Sequence, residues 1–546
     1  MISSRIRISV LLVVLGLALP AAAEPSAAID APAGKLQGEV SGQIRIFKGI
    51  PFALAPAGAR RWKPPLPVPK WKGTRDATKF GPACVQPRAR SESIYSWNLA
   101  SMSEDCLSLN IWAPADARKA PVFVWIHGGA LTTGTASDPL YDGSRFAERG
   151  IIVVTINYRL GVLGYFTHPA LSAESRRNIS GNYGLLDQIE ALRWVKRNIE
   201  AFGGDASNVT IAGESAGGLS VMYLMAAPDA RGLFAKAIAE SAYMISTPEL
   251  RSTTFGDVAG EPAGVWLAGK LGAGDLAGLR SMDAGVLTEG AAAAGWLPFG
   301  TIVGRVLPRQ LVEVFDRGDL AKVPILAGFY SGEIRSLRFL VPAPPADAAT
   351  YEKQIRERYA DLSAAFLERY PSSNMLESMF ATTRDAMYGW TAERLVAKQT
   401  AVGAPSYLYY FDHGYPVAES MGLHAFHASE LPYVFGTASK TPPHWPAVPA
   451  TPAEAQLSDA MLSYWATFAR DGKPNASGTP QWSPYGTERA YMAFEDVPRP
   501  KTHLLPGMYE LNEKVVCRRH ANRGIPWNWN VGLVSPPLPA EAPQCR

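Results

Sequence analysis

Short apolar runs alternate with longer amphipathic segments from Pro121 onward, and this alternation restricts the chain to few architectures. Residues 122–126 are apolar throughout, residues 151–156 are apolar except for Thr155, and both runs are bounded by turn residues, which predicts two buried strands. Across residues 185–202, apolar side chains recur every three or four positions, which predicts an amphipathic helix. Another strand is predicted at residues 209–211. Strands that alternate with helices indicate an α/β fold with a mostly parallel sheet flanked by helices.

The run Gly213-Glu214-Ser215-Ala216-Gly217 follows the strand predicted at residues 209–211 and precedes an apolar segment that ends near Ala227. A sharp strand-to-helix turn of this kind lifts a serine hydroxyl out of the sheet, and the two glycines leave room where side chains would collide. Alone, the five-residue pattern also occurs in ordinary loops, but here it stands in the required context. We therefore predict that Ser215 is a nucleophile.

A serine hydroxyl is a weak nucleophile at neutral pH, so it needs a histidine, a carboxylate that orients the histidine, and amide donors for the oxyanion. His127-Gly128-Gly129 ends a predicted strand and matches a loop that supplies such donors. We expect the amides of Gly128, Gly129 and Ala216 to form an oxyanion hole. Without Ser215, an ordinary turn would be the better interpretation of the two glycines.

Along the chain, this kind of turn is followed first by the acid and then by the histidine, so both are expected after Ser215. His424 and His427 both follow a strand predicted at residues 407–411, and spacing does not choose between them. Glu333 follows another strand, predicted at residues 323–327, and is the candidate acid.

The first 23 residues have the pattern of a cleavable secretory signal peptide, because Arg5 and Arg7 precede an apolar stretch and residues 21–23 are alanines. The stretch is shorter than the roughly 20 apolar residues of a membrane span, so we expect no stable membrane anchor. Loss of Arg5 and Arg7 lowers the formal net charge of +4 by two, which argues against a nucleic-acid partner. We predict a secreted or periplasmic protein.

We expect residues 24–546 to form a single catalytic domain, since α/β architectures can run long as one unit. Residues 250–300 are rich in alanine and glycine, and residues 335–400 contain a proline cluster followed by helical stretches. Both segments are expected to form a cap over the carboxyl edge of the sheet.

Four cysteines in an exported chain permit two disulfides. Their grouping predicts that Cys84 pairs with Cys106 and Cys517 with Cys545, the second pair stapling a tail over residues 510–546. Zinc binding is disfavoured, since no CxxC or HxxxH spacing occurs, and no metal site is predicted.

The chain also contains four longer motifs: Phe47-Lys48-Gly49-Ile50-Pro51-Phe52-Ala53, Glu104-Asp105-Cys106-Leu107-Ser108-Leu109-Asn110, Asn157-Tyr158-Arg159-Leu160-Gly161 and Phe202-Gly203-Gly204-Asp205. In composition and order they resemble the signatures of the type B carboxylesterase family, which also contains the cholinesterases. The resemblance extends across nearly the whole chain after the signal peptide. It implies an α/β-hydrolase fold and the hydrolysis of carboxylic esters by a Ser–Glu–His triad, without a cofactor.

The resemblance also separates the two candidate histidines. Residues 427–436 resemble the family's catalytic-histidine segment with His427 at its head, which makes His424 a neighbour. Residues 328–333 resemble the segment that holds the family's acid, which implies Glu333. In addition, the cysteines at positions 84 and 106 match those of the family's N-terminal disulfide.

Three further residues are candidates for supporting roles. Ser241 aligns with a family serine that supports the histidine, although Ala242 replaces the glycine that usually follows. Glu214, next to the nucleophile, is a second candidate for such support. Trp97 stands roughly where cholinesterases place an aromatic ring that binds a quaternary ammonium group. Packing is the stronger interpretation of a loop tryptophan, so recognition of choline esters is not the favoured expectation.

These residues predict a serine hydrolase that forms an acyl-enzyme from small to medium-sized esters, with bulky esters also open. Its expected partners are a small-molecule ester and water. Amidase or acyltransferase activity on the same triad is an alternative that the sequence barely excludes. A non-catalytic, cholinesterase-like binding protein is another, but such relatives typically lack the serine, whereas Ser215, Glu333 and His427 are all present.

Overall fold

The computed structural model describes residues 24–25, 28–88, 93–528 and 530–545. The predicted signal peptide, residues 1–23, lies outside the described residues. The strands are β1 (Glu24–Pro25), β2 (Ile29–Ala31), β3 (Gly34–Gln37), β4 (Glu39–Ser41), β5 (Ile44–Pro51), β6 (Thr74–Asp76), β7 (Ala83–Cys84), β8 (Met102–Ser103), β9 (Ser108–Pro114), β10 (Ala120–Ile126), β11 (Ile152–Ile156), β12 (Gly204–Glu214), β13 (Lys236–Glu240), β14 (Ile325–Tyr330), β15 (Ser406–Phe411), β16 (Ala490–Phe494) and β17 (Pro498–Thr502).

Helices alternate with the central strands and fill the segments between them. They are α1 (Ser144–Ala147), α2 (Gly161–Tyr165), α3 (Pro169–Glu174), α4 (Tyr183–Asn198), α5 (Ala216–Ala226), α6 (Gly260–Lys270), α7 (Leu276–Ser281), α8 (Ala284–Ala293), α9 (Leu311–Asp316), α10 (Ala348–Tyr359), α11 (Ser363–Arg369), α12 (Met375–Arg384), α13 (Trp390–Ala401), α14 (Pro416–Ser420), α15 (Leu431–Val434), α16 (Pro452–Asp471) and α17 (Met508–Asn522).

One large mixed sheet organises the described chain, in the strand order β1-β4-β5-β9-β11-β10-β12-β13-β14-β15-β16-β17. The strands from β11 to β16 are parallel, and antiparallel strands extend the sheet on both sides. Carboxyl ends of parallel strands meet at one edge of a sheet. The loops after β10, β12, β14 and β15 therefore lie at the same edge.

The predicted central strands are all present. The strands predicted at residues 122–126, 151–156, 209–211, 323–327 and 407–411 correspond to β10, β11, β12, β14 and β15. The helix predicted across residues 185–202 is α4, and its last turn narrows to a 3-10 helix at Ile199–Phe202 before Gly203 adopts a left-handed conformation. The prediction of an α/β fold with a mostly parallel centre is confirmed.

Strand β10 shows how the sheet separates two apolar cores. Successive side chains of a strand point to opposite faces. Val122 and Val124 pack with Leu192 of α4 in one cluster, whereas Phe123 and Trp125 pack in the other, which also contains residues of α16. Because both faces are covered, every residue of β10 is buried and the strand is uniformly apolar.

The segments expected to form a cap are helical. Residues 250–300 contain α6, α7 and α8, and residues 335–400 contain α10 to α13, with a π-helical turn at Asp385–Gly389 between α12 and α13. Their assignment as a cap stays a prediction.

The two disulfides join Cys84 to Cys106 and Cys517 to Cys545, the pairs expected from the sequence. Within the described residues, the structure contains no helix that combines the length and apolar character of a membrane span.

Candidate active site

Ser215 occupies a tight corner between β12 and α5. Its backbone angles are φ 57° and ψ −119°, a sparsely populated region for a residue with a side chain. Its N–H donates to the carbonyl oxygen of Glu240 on the neighbouring strand β13 over 2.9 Å. The corner is therefore held by the sheet in the strained conformation that a strand-to-helix turn requires.

The two glycines of the turn allow α5 to pack directly against the sheet. A Cβ atom on Gly217 would lie 2.0 Å from the carbonyl oxygen of Ile126, at the end of β10. A Cβ atom on Gly213 would lie 2.6 Å from the carbonyl carbon of Gly217. Side chains at either position would push the helix away and displace Ser215.

His427 and Glu333 form a buried pair at this edge of the sheet. Nδ1 of His427 lies 2.5 Å from Oε2 of Glu333, whose side chain is fully buried. The other carboxylate oxygen, Oε1, accepts hydrogen bonds from the hydroxyl of Ser241 and, over 3.1 Å, from the backbone N–H of Tyr330. The carboxylate is thus fixed on both oxygens and fixes the imidazole in turn.

Backbone contacts join the turn that carries Glu333 to the loop that carries His427. The N–H of Gly332 donates to the carbonyl oxygen of Ala425 over 2.9 Å, and Gly332 forms a parallel β-bridge with Phe426. A Cβ atom on Gly332 would lie 2.7 Å from the carbonyl oxygen of Leu423. The close approach of the two loops therefore depends on glycine at position 332.

The second imidazole nitrogen of His427 faces Glu214. Nε2 lies 3.1 Å from Oε1 of Glu214, the residue that precedes Ser215. Within the part of the chain that the structure describes, no hydrogen bond joins the Ser215 hydroxyl to His427.

Burial lowers the pKa of His427, but the carboxylates of Glu214 and Glu333 outweigh it and raise the pKa to about 9. Burial raises the pKa of Glu214 to about 7.

The loop after β10 lies directly against the serine corner. A Cβ atom on Gly128 would lie 2.9 Å from the carbonyl oxygen of Glu214 and 3.3 Å from Cβ of Ser215. Gly129 has a φ of 97°, which turns the chain back toward Thr133. Among the described residues, none accepts a hydrogen bond from the N–H of Gly128 or Gly129. These two donors, and that of Ala216 at the first position of α5, are free to bind an oxyanion.

His127 supports this loop as a neutral side chain. Its ring is buried and stacks on Tyr158 with 4.5 Å between ring centroids, while the Tyr158 hydroxyl donates to the carbonyl oxygen of His127 over 2.8 Å. Burial lowers the pKa of His127 to about 4. The histidine is part of the packing behind the loop.

The structure separates the two histidines that spacing left open. His424 contacts Glu419 and, over 2.9 Å, Asp412, and its pKa is raised mainly by the hydrogen bond to Asp412. It is partly exposed and makes no contact with Glu333 among the described residues. His427 alone of the two lies against Glu333.

The aromatic residue proposed as a substrate contact does not touch the histidine or the acid. Trp97 is half-buried beside Asp138, and within the described residues it makes no hydrogen bond or ring contact with His427 or Glu333. Its role in binding stays a prediction. Two tyrosines contact His427 instead. The Tyr95 hydroxyl donates to its carbonyl oxygen, and the ring of Tyr388 packs against its imidazole with 5.4 Å between ring centroids. No periodicity or motif of the sequence marks either tyrosine.

Two more buried carboxyl groups lie behind the site. Glu430 accepts a hydrogen bond from the Tyr330 hydroxyl, and Glu240 accepts one from Nε1 of Trp465 over 2.6 Å. Burial raises the pKa of Glu240 to about 8 and raises that of Glu430 well above its usual range. Burial therefore favours the protonated form of both groups. Glu430 stands in the motif that begins at His427, so the motif carried the one signal that could have found it.

Comparison with known proteins decides the family. The sequence profile described as the Carboxylesterase family matches residues 25–509. The chain belongs to the carboxylesterase family. The predictions of an α/β-hydrolase fold and of a carboxylic ester hydrolase are confirmed.

This carboxylesterase has relatives among characterised esterases. The fumonisin B1 esterase of Sphingopyxis macrogoltabida is 35% identical over 498 residues, which cover 87% of this chain and 88% of the relative. The para-nitrobenzyl esterase of Bacillus subtilis (strain 168) is 36% identical over 480 residues, 83% of this chain and 92% of the relative.

Solved structures agree with the sequence relationships. A structure of PNB esterase matches the carboxylesterase with a TM-score of 0.78 and 32% identity, covering 89% of this chain and 99% of that one. A carboxylesterase of Geobacillus stearothermophilus matches with a TM-score of 0.70 and 33% identity over the same shares. The two disulfides fit an extracellular or secreted protein, whereas the signal peptide stays a prediction.

Proposed function

We propose that this carboxylesterase hydrolyses esters through an acyl-enzyme on Ser215, with His427 as the base and Glu333 as the acid that orients it. The observation that carries the proposal is the buried hydrogen bond between Nδ1 of His427 and Glu333 at the sheet edge that also presents Ser215. A carboxylate on Nδ1 directs the other nitrogen, Nε2, toward proton transfer.

In the first half of the reaction, Oγ of Ser215 attacks the ester carbonyl carbon while its proton passes to Nε2 of His427. The carbonyl oxygen becomes an oxyanion, which accepts hydrogen bonds from the amides of Gly128, Gly129 and Ala216. The bond to the alcohol oxygen then breaks, and that oxygen takes the proton from Nε2. The acyl group stays on Ser215 as an ester.

In the second half, a water molecule gives a proton to Nε2 and attacks the acyl carbon. The same three amides bind the second oxyanion. The bond to Oγ breaks, Oγ recovers the proton from His427, and the carboxylic acid leaves. Every proton is accounted for by Ser215, His427, water and the leaving groups, so the cycle needs no cofactor.

Glu214 competes with Ser215 for the catalytic nitrogen. In the resting geometry, Nε2 lies 3.1 Å from Glu214. We propose that His427 exchanges this partner for the Ser215 hydroxyl when an ester binds. Ser241 supports His427 indirectly, through Glu333. Its hydroxyl donates to Oε1 of Glu333 and leaves Oε2 to bind His427.

The substrate class is proposed as small to medium-sized carboxylic esters, with bulky esters also open. The relatives named for para-nitrobenzyl and fumonisin B1 esters differ widely in ester size, and both align over more than four-fifths of this chain. A panel of p-nitrophenyl and p-nitrobenzyl esters, varied separately in acyl and alcohol size, tests which ester sizes the enzyme accepts.

We also propose that residues 24–546 act as one catalytic domain, exported after removal of residues 1–23 to the periplasm or the medium. The two disulfides support export, because such bonds persist in oxidising compartments. N-terminal sequencing of the exported protein tests it, and a mature chain that retains residues 1–23 would contradict it.

Variants of the three residues test the proposed function. Ser215→Ala and His427→Ala should each lower kcat for a p-nitrophenyl ester by a factor on the order of 10³ or more. Ser252→Ala, at an exposed position, and His424→Ala are the matched controls and should keep parental kcat. A Ser215→Ala enzyme as active as the parent would overturn the proposal. Amide substrates and competing alcohols, tested with the parent, show whether amidase or transfer activity accompanies hydrolysis.

A further inference from the structure

The loop closed by Cys84 and Cys106 reaches across the site to the base. Tyr95, in that loop, places its hydroxyl oxygen 2.9 Å from the carbonyl oxygen of His427 and 2.7 Å from Oγ of Ser336. Position 95 is 332 residues from position 427 and 241 from position 336 along the chain. One phenol therefore joins three distant segments at the edge of the triad.

The Tyr95 hydroxyl carries one proton and lies within hydrogen-bond distance of two oxygens. A carbonyl oxygen can only accept, whereas a serine hydroxyl can both donate and accept. Tyr95 satisfies both neighbours when its own O–H is given to His427 and its oxygen accepts the proton of Ser336. The Tyr95 hydroxyl then donates a hydrogen bond directly to the backbone carbonyl oxygen of His427, the proposed base.

Ser336 belongs to the turn that carries the acid. It ends the 3-10 helix Glu333–Arg335, whose first residue holds Nδ1 of His427. Tyr95 thus contacts the backbone of the base and the last residue of the acid's turn at the same time. Displacement of either segment relative to the other would lengthen one of the two contacts.

The ring of Tyr95 is held by aromatic packing. It meets Trp445 edge to face with 5.9 Å between centroids, and Trp445 meets Phe426 in the same way at 4.9 Å. Phe426 directly precedes His427. The hydroxyl tie and the aromatic contacts therefore act on two successive residues of the same loop.

Near its Cys84 end, the loop is also bonded to the segment that follows β10. The side-chain amide of Gln86 accepts from the N–H of Gly134 and donates to its carbonyl oxygen, each over 2.9 Å. Gly134 belongs to the segment that follows the oxyanion glycines. The bonds of Gln86 therefore fix the Cys84 end of the loop, and the disulfide joins that end to Cys106.

We propose that Tyr95 is a positioning residue that sets the imidazole of His427 by holding its backbone carbonyl oxygen. The proposal rests on the proposed function of His427 as the base. It gives the disulfide-closed loop a role in catalysis, since the loop delivers the only side-chain hydroxyl found on the His427 backbone in the described residues.

The test compares Tyr95→Phe with Tyr464→Phe. Tyr95→Phe keeps the ring packing and removes the hydrogen bond to the carbonyl oxygen of His427. Tyr464→Phe removes an equivalent bond, from a tyrosine hydroxyl to the carbonyl oxygen of Pro480, at a site remote from His427. We expect Tyr95→Phe to lower kcat about tenfold with KM within about twofold, while Tyr464→Phe keeps the parental kcat. Ser336→Ala should stay within about threefold of the parent, since the tie to His427 remains.

A second readout separates positioning from general loss of structure. The rate at which an organophosphate inactivates the enzyme should fall in Tyr95→Phe by the same factor as kcat, since both need the base beside the nucleophile. The melting temperature should change no more than in Tyr464→Phe. A kcat and an inactivation rate equal to the parent's, or equal losses in both tyrosine variants, would overturn the role of Tyr95. If His427→Ala kept full activity, the proposed function itself would fail instead.

Discussion

Oε1 of Glu214 lies 3.1 Å from Nε2 of His427, so the nitrogen proposed to take the proton of the nucleophile already faces a carboxylate, in an ion-pair contact without hydrogen-bond geometry. With Glu333 on Nδ1, the imidazole stands between two acids that together raise its pKa to about 9. This arrangement stabilises the protonated histidine, whereas the reaction needs the neutral one.

The pH profile should therefore respond to Glu214. Activity requires neutral His427, so kcat/KM falls as the pH drops below the pKa of the imidazole. Removing one carboxylate lowers that pKa, and Glu214→Gln should move the acid limb of the profile to lower pH by about one unit. Rates measured between pH 5 and 10 check this.

Glu419→Gln is the matched control, because Glu419 also contacts a histidine, through Nδ1 of His424, but lies outside the proposed triad. Its profile should coincide with the parent's. An acid limb of Glu214→Gln that stays in place, or moves to higher pH, would contradict the account.

Ser241→Ala should weaken both activity and stability. The change leaves Oε1 of the buried Glu333 with one donor, the N–H of Tyr330. We expect kcat to fall about tenfold and the free energy of unfolding to fall by about 1–3 kcal/mol. Ester kinetics and denaturant unfolding measure the two effects.

Ser429→Ala is the comparison for this change. Ser429 is also buried near His427, but its hydroxyl has no hydrogen-bond partner among the described residues. The variant should keep the parental unfolding free energy within about 1 kcal/mol. Equal losses in both variants would mean that the bond to Glu333 contributes nothing.

Gly128→Ala should damage the oxyanion hole. A Cβ atom there would stand 2.9 Å from the carbonyl oxygen of Glu214, so the loop must move away from Ser215. Loss of one well-placed donor lowers kcat by a factor on the order of 100. Gly269→Ala, in α6 with open space around the new methyl group, should leave kcat unchanged. A fully active Gly128→Ala enzyme would exclude this loop from the hole.

Glu240 should make stability depend on pH in a predictable direction. Burial raises its pKa in the folded protein to about 8, above the value of about 4.3 expected for an unfolded chain. The folded state holds the proton more tightly, so stability from this group is complete below the unfolded pKa and is lost as the pH rises through the folded pKa. Glu240→Gln, which cannot titrate, should gain stability relative to the parent between pH 5 and 8.

Urea unfolding at pH 5, 6.5 and 8 measures that difference, with Glu488→Gln at an exposed position as the control. A difference between Glu240→Gln and the parent that stays constant with pH would show that Glu240 is ionised throughout.

The central strands and the serine corner could be predicted from the sequence, because their signals are local. The apolar run in β10 reports a strand buried on both faces, and glycines around Ser215 report the close packing of α5 against β10. His424 and His427 could not be separated by spacing, since both follow β15. That choice came from the family resemblance, and the structure places His427 against Glu333 and His424 on Asp412.

Some contacts between distant segments left no sequence signal. Tyr95 reaches His427 across 332 residues from a loop without periodicity. The contact of Glu214 with Nε2 depends on the rotation of one imidazole, which no pattern of residues encodes. Glu333 and His427 also come from separate loops, but each stands in a family motif, whereas Tyr95 stands in none.

Covalent labelling shows directly whether Ser215 is the nucleophile. Tryptic digestion after organophosphate treatment yields residues 198–231, which contain Ser207, Ser215 and Ser220, and fragment ions distinguish the three. We predict a single adduct on Ser215, formed in proportion to the loss of esterase activity, and none in His427→Ala over the same time. Complete inactivation with an adduct elsewhere and an unlabelled Ser215, or full labelling of Ser215 with activity retained, would contradict the account.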